Sequence, residues 1–177
     1  MTVKIHCTGQ GASRLALDAF AAARQGNPNG PRHEIAHCSG VHDDEYPRFK
    51  ELNVTAEMSP ALFFKHDMFA SSGIAEWNFK KMLQSNADMT IGSGWGAGEM
   101  PDLLPCMEAI VNDVGDGDRR VGGERICRLL TLAGAEAVGM EAKSGSIEVG
   151  KKASFITVSQ DFERRTLRRR RSTRDLV

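Results

Sequence analysis

The stretch VKIHCTGQGASRLALDAFAAARQGNPNGPRHEIAH, residues 3–37, indicates the fold class. A short β-prone run (3–6) precedes a segment whose apolar residues recur at helical spacing, and the turn-forming NPNGP precedes a second β-prone run (33–37). Each run ends in a histidine. A strand, a helix and a second strand in this order are typical of a βαβ unit with parallel strands.

The alternation of β-prone and helical segments continues beyond residue 37, which favours an α/β fold. The sequence predicts these further elements: a helix over 42–53 with Asp43 or Asp44 as its N-cap, a strand over 54–58, a helix over 75–84, a strand over 87–93, helices from Pro101 to about Asp113 and from Gly123 to about Val138, and a β-hairpin over 144–159 around Gly150.

Composition indicates a globular protein with one domain of substantial core. The 177 residues are 41% hydrophobic and 6% aromatic, and no apolar run approaches the roughly 18 residues of a membrane span. The first residues lack the apolar core of a secretory signal. The four cysteines form no CxxC pair. We therefore expect a cytoplasmic protein without a membrane partner, whose thiols are reduced and mostly buried.

Charge is distributed unevenly along the chain, although the net charge is zero. Residues 161–177 contain seven arginines and three acidic residues, a net +4, so residues 1–160 carry −4. A run of like charges repels itself, which predicts a disordered, solvated tail. Contact of this tail with nucleic acid, an acidic membrane or a nuclear import receptor is an alternative, but we expect no nucleic-acid partner.

Two histidines, His6 and His37, end the first two predicted strands, 31 residues apart. This is about the length of one βα unit of roughly 30 residues, so the two rings would stand at similar height on neighbouring strands. There they either bind a divalent metal, zinc most naturally, or form ordinary hydrogen bonds. The following Cys7 and Cys38 suggest a His₂Cys₂ site, but successive strand residues point to opposite faces, and we reject that site.

Four segments in order resemble the C-terminal part of amidohydrolase family 3, in the metal-dependent amidohydrolase superfamily. They are VKIHCTGQGASRLALDAFAAAR, RHEIAHCSGVHDDEYPRFKELNVTAEMSPAL, TIGSGW and GSIEVGKKASFITV, within residues 3–160. The resemblance implies a partial TIM-like (β/α) barrel containing the equivalents of strands five to eight, followed by a short C-terminal β segment. It divides the chain into 1–143 (half-barrel), 144–160 (β segment of a small composite domain) and the tail, 161–177.

The resemblance also implies a metal-dependent hydrolase that acts on small molecules with non-peptide, amide-type C–N bonds. His6 and His37 fall on the family's metal-binding positions, and Trp95 and His42 are candidates for substrate contact. Trp95 either walls a substrate pocket or covers the barrel rim.

Two departures from the family put activity in doubt. The family's strands one to four, with their HxH ligands, have no counterpart in this sequence, and Gly94 stands where the family's GSD motif has a metal-binding aspartate. We therefore expect a truncated or impaired enzyme with no assigned catalytic residue, whose remaining ligands hold zinc weakly if any metal is retained.

Two further interpretations of the chain remain. One is a non-catalytic pseudoenzyme that self-associates as a homo-oligomer, or pairs with a partner, through exposed sheet edges. The other takes TIGSGWGAG (90–98) as an anion-binding loop between a strand and a helix, although it has neither GK[ST] nor GxGxxG spacing.

Overall fold

Four β-prone runs of the sequence form one parallel sheet in the computed structural model, which describes residues 1–60, 77–94 and 103–157. The strands, hydrogen-bonded in chain order, are β1 (Lys4–Thr8), β2 (His33–Ser39), β3 (Val54–Met58) and β4 (Met89–Ile91). All three neighbouring pairs are parallel. Parallel strands in sequential order are the arrangement of a (β/α) barrel wall, so the predicted α/β class and partial barrel are confirmed.

The helices that the structure describes follow the strands and extend beyond β4. They are α1 (Gln10–Gly26), α2 (Tyr46–Glu51), α3 (Phe79–Gln84), α4 (Leu104–Val114), α5 (Arg119–Leu130) and α6 (Leu132–Ala137). α1 connects β1 to β2 and α2 connects β2 to β3, which are the crossovers that parallel neighbours require. Within the described ranges, no helix is long and apolar enough to cross a membrane.

The predicted N-cap of α2 is wrong. Glu45 occupies the N-cap position and makes no side-chain capping hydrogen bond. The two predicted caps instead pair with distant basic residues: Lys81 Nζ lies 2.5 Å from Asp43 Oδ1, and Arg14 Nη2 lies 3.0 Å from Asp44 Oδ1. These carboxylates therefore link the loop before α2 to α3 and α1.

The predicted helix from Gly123 to Val138 is two helices. α5 begins earlier, at Arg119, because the Asp118 side chain caps the backbone N–H groups of Arg120 and Val121. It ends before Thr131, whose φ of −124° and ψ of −88° are not helical. α6 then starts at Leu132, so the segment predicted as one helix is divided at Thr131.

The predicted β-hairpin at 144–159 is not formed in its described part. Residues 144–157 make turns and bends without a strand. Their large apolar side chains are exposed, namely Ile147, Val149, Phe155 and Ile156. A two-stranded hairpin is marginal in water without a further strand or helix to pack against, and these side chains have no such surface among the described residues. The assignment of 144–160 to a small composite domain, and the boundary at 143, stay predictions; the tail lies outside the described residues.

The two faces of the sheet have opposite chemistry. One in-register row, Ile5, Ile35, Ala56 and Met89, is apolar and contributes to the main hydrophobic core with the helices. The adjacent row, His6, Ala36, Glu57 and Thr90, faces the other side because strand side chains alternate. Helices α1 to α5 therefore contribute buried side chains to the core on the apolar face, whereas residues of α6 lie beside the polar row.

Packing of α1 on the sheet gives a matched test of this core. Leu17 is 0% exposed and Leu15 on the same helix is 72% exposed. Leu17→Ala should lower the free energy of unfolding by about 2–5 kcal/mol, because it leaves a cavity in the core. Leu15→Ala should change it by less than about 0.5 kcal/mol. Urea denaturation measures both, and equal losses for the two variants would contradict the orientation of α1.

Candidate metal centre

The rings of His6 and His37 lie together towards the carboxyl ends of β1 and β2. Their centroids are 4.5 Å apart and their planes meet at 74°, an edge-to-face contact. The sequence predicted that the two residues would stand at similar height on neighbouring strands, and the structure brings them into contact. Carboxyl ends of the strands are where (β/α) barrels place their chemistry.

His37 reaches His6 because the backbone of β2 is left-handed at this point. The φ angle is 67° at His37 and 46° at Cys38, and the β1–β2 register shifts between His6 and Thr8. In a regular strand His37 would follow Ala36 onto the opposite face of the sheet. Such an irregularity re-aims a side chain, and here it turns the imidazole towards His6.

The neighbouring cysteines point away from this pair of rings. Cys7 and Cys38 are 1% and 0% exposed and belong to the hydrophobic core. Burial raises the pKa of the Cys7 thiol and raises that of Cys38 well above its usual value, so both thiols are protonated at neutral pH. A thiol must lose its proton to bind a metal, and this agrees with the absence of a His₂Cys₂ site among the described residues.

His37 is held through both its ring and its backbone. Its Nδ1 lies 3.0 Å from Ser59 Oγ, just beyond the end of β3, and its carbonyl accepts a hydrogen bond of 2.6 Å from Trp77 Nε1. Burial lowers the pKa of His37; the Glu57 carboxylate opposes this, and His6 and Lys4 add to the lowering. The ring is therefore neutral at neutral pH, which is the form that binds a metal.

Lys4, Glu34 and Glu57 form an ion cluster on the polar face beside the histidines. Lys4 Nζ lies 2.5 Å from Glu34 Oε1 and 3.4 Å from Glu57 Oε2. Both carboxylate side chains are nearly buried. Burial disfavours the charged form of Lys4, but the hydrogen bonds and charges of the two glutamates outweigh it and raise the Lys4 pKa. The cluster carries two carboxylates and one ammonium group, a net −1.

A cavity of about 510 Å³ lies over this polar face. Its wall includes His37, Glu57, Gly92 and Gly94, together with residues of α6. Gly94 has a φ of 58°, in the left-handed region that aspartate tolerates better than most residues. The position where the family resemblance expects a metal-binding aspartate therefore faces the same cavity as His37, and it carries no side chain.

The structure describes one of the two residues predicted to contact substrate. His42 is half-exposed, and its Nδ1 is hydrogen-bonded to Asp44; it is not among the described residues that line the cavity. Trp95 lies outside the described residues. Both roles stay predictions.

Sequence reasoning missed the residues that support His37. Trp77, Glu57 and Ser59 were not among the candidate site residues. The available signal was the glutamate itself, because a charged residue inside the otherwise β-prone run VTAEM (54–58) needs a buried partner. The bond from Trp77 connects residues 40 positions apart, and no local pattern predicts such a contact.

Two imidazoles in contact fit part of a divalent-metal site. Zinc binds imidazole nitrogen, and a catalytic site normally has three protein ligands. Among the described residues, no group of three or more His, Cys, Asp or Glu side chains is placed to hold a metal ion. A complete site therefore needs a ligand beyond the two histidines that these residues bring together.

Known proteins with related sequences or structures include metal-dependent hydrolases and deaminases. The chain is 24% identical to guanine deaminase of Escherichia coli over 124 residues, 70% of this chain and 27% of that protein. A metal-dependent hydrolase from Pyrococcus furiosus superposes with a TM-score of 0.70 at 28% identity, over 92% of this chain and 34% of the other. A zinc-bound adenosine deaminase from Xanthomonas campestris superposes at 0.62 with 19% identity, over 86% and 36%.

These relatives are much longer than the present chain, which spans between about a quarter and a third of each. The sequence model of the amidohydrolase family matches residues 1–175, which is nearly the whole chain. The resemblance first noted in four short segments is thus confirmed, and the chain belongs to the amidohydrolase family.

Proposed function

We propose that this chain provides the two-histidine side of a divalent-metal site, zinc most naturally, in a hydrolase that acts on small molecules with amide-type C–N bonds. The observation that carries the proposal is the contact between the His6 and His37 rings, of which His37 lines the cavity. Family membership and a zinc-bound structural neighbour support the choice of a divalent metal. We further propose that the protein is cytoplasmic.

The chemistry of the two residues suits this role. His37 is neutral because burial lowers its pKa, and its Nδ1 is occupied by Ser59, which leaves Nε2 available. A divalent metal held there lowers the pKa of a bound water and polarises a scissile carbonyl. The adjoining cavity, of about 510 Å³, is in the size range of small-molecule sites, roughly 300–1,000 Å³.

We also propose that hydrolysis by these 177 residues alone is absent or strongly impaired. Gly94 offers no carboxylate at the cavity wall, and the described residues bring no third ligand to the two histidines. A carboxylate beside the metal normally accepts the proton of the attacking water. Ser93 does not replace it, because a hydroxyl does not titrate near neutral pH.

Zinc titration by calorimetry tests the binding site. The chain should bind about one zinc ion, and His6→Gln or His37→Gln should each weaken binding at least about tenfold, since even loss of a residue that supports a ligand costs about 10–100-fold. His42→Gln is the matched control, because His42 is hydrogen-bonded to Asp44 and takes no part in the contact between the His6 and His37 rings, and it should leave the affinity unchanged. Binding that survives the loss of both His6 and His37 would exclude this site.

Activity of the zinc-loaded chain tests the proposed impairment. With guanine, the substrate named for one relative, and a panel of simple amides, we expect no turnover above that of the His37→Gln variant. Turnover that depends on His37 would show that the carboxylate absent at position 94 is dispensable.

Assembly through sheet edges is a second candidate function, favoured by the strand order. β1 and β4 occupy the two edges of the described sheet, and an unpaired strand edge is a template for another strand. Two copies that pair in this way would bring four histidines, His6 and His37 of each copy, to the same end of one barrel. Light scattering at micromolar concentration should then give a dimer or larger species. A clean monomer would exclude self-assembly through these edges.

A further inference from the structure

The hydroxyl of Ser59 bridges a carboxylate and an imidazole. Ser59 Oγ donates a hydrogen bond to Glu57 Oε1 and lies 3.0 Å from His37 Nδ1. Ser59 is 0% exposed, so its hydroxyl is inaccessible to a substrate in the cavity and is not a nucleophile. Its contacts connect β3 to the ring on β2.

The direction of these bonds fixes where the proton of His37 lies. A serine hydroxyl has one hydrogen to donate, and an ionised carboxylate only accepts. Lys4 Nζ, an ammonium group that only donates, lies 3.4 Å from the other carboxylate oxygen, Glu57 Oε2. Because the Ser59 hydrogen points to Glu57, the Ser59 oxygen must accept from His37. Nδ1 then carries the ring proton, and Nε2 keeps a free lone pair.

We propose that Glu57, acting through Ser59, is a positioning residue that holds the proton of His37 on Nδ1 and presents Nε2 to the cavity. The role of Nε2 as a metal-binding atom rests on the proposed function, whereas the position of the proton does not. In known metal sites, a histidine ligand almost always donates its other ring N–H to such a partner, which fixes its tautomer and orientation.

The surroundings of Glu57 keep its carboxylate in place. Lys4 lies on one side of it. On the other side is Gly92, where an added Cβ would overlap Glu57 Oε1, so only glycine leaves room for the carboxylate there. The Trp77 bond to the His37 carbonyl holds the backbone independently. Lys4 therefore restrains the carboxylate, and Trp77 restrains the backbone that carries the ring.

The nitrogen NMR shifts of the His37 ring test this assignment in metal-free protein. At about pH 8, above the ordinary histidine pKa of about 6.5, wild-type His37 should be the Nδ1-protonated tautomer; its signals are identified by their loss in His37→Gln. Ser59→Ala and Glu57→Ala should each shift the ring towards the Nε2-protonated tautomer. Thr55→Val is the matched control, because Thr55 Oγ1 on the same strand is buried and without a hydrogen-bond partner among the described residues, and it should leave the ring unchanged.

If the His37 ring of the wild-type protein is protonated on Nε2, the proposal is overturned. It is also overturned if Ser59→Ala and Glu57→Ala fold and their His37 rings remain protonated on Nδ1. Zinc affinity provides the second measurement: Ser59→Ala should weaken it by about 10–100-fold, and Thr55→Val should not. If the tautomers follow the prediction but the wild-type chain binds no zinc, the positioning role of Glu57 stands and the proposed function fails.

Discussion

The left-handed backbone at His37 and Cys38 is the constraint on which the site depends. At φ angles of 67° and 46°, two consecutive non-glycine residues adopt a conformation that costs on the order of 1–3 kcal/mol each. Burial of Cys38 in the core and the Trp77 bond to the His37 carbonyl offset this cost. As a result, the end of β2 places the Cys38 thiol in the core and the His37 imidazole on the opposite face of the sheet. Without this turn, the His37 ring would lie among apolar side chains.

The polar face of the sheet shows how the site is separated from the core. Barrel interiors are filled mainly by bulky branched side chains, whereas this face carries Lys4, Glu34 and Glu57 beside the two histidines. Charged groups that leave water require partners, and the ion pairs of Lys4 supply them. The network that satisfies Glu57 also reaches His37 through Ser59, so one set of contacts both stabilises buried charge and orients the candidate ligand.

The strands and the pair of histidines could be predicted from sequence because both depend on local periodicity. The run at 54–58 forms β3 with the predicted bounds, and the repeat of the βα unit places His6 and His37 at similar height on neighbouring strands. The left-handed turn, the bridge through Ser59 and the Trp77 bond depend on contacts between distant residues, which no local pattern encodes. The same reason explains the errors at Asp43 and Asp44: their partners lie on α3 and α1. The predicted hairpin is not formed over residues 144–157, because strand propensity alone does not supply a surface to pack against.

X-ray absorption at the zinc edge, recorded on the chain loaded with one equivalent of zinc, tests most directly whether His6 and His37 form the metal-binding pair. We predict two imidazole nitrogens at about 2.0–2.1 Å, with one of them lost in His6→Gln and one in His37→Gln. Zinc coordinated by sulfur at about 2.3 Å, or an imidazole signal unchanged by removal of both histidines, would contradict the proposed centre.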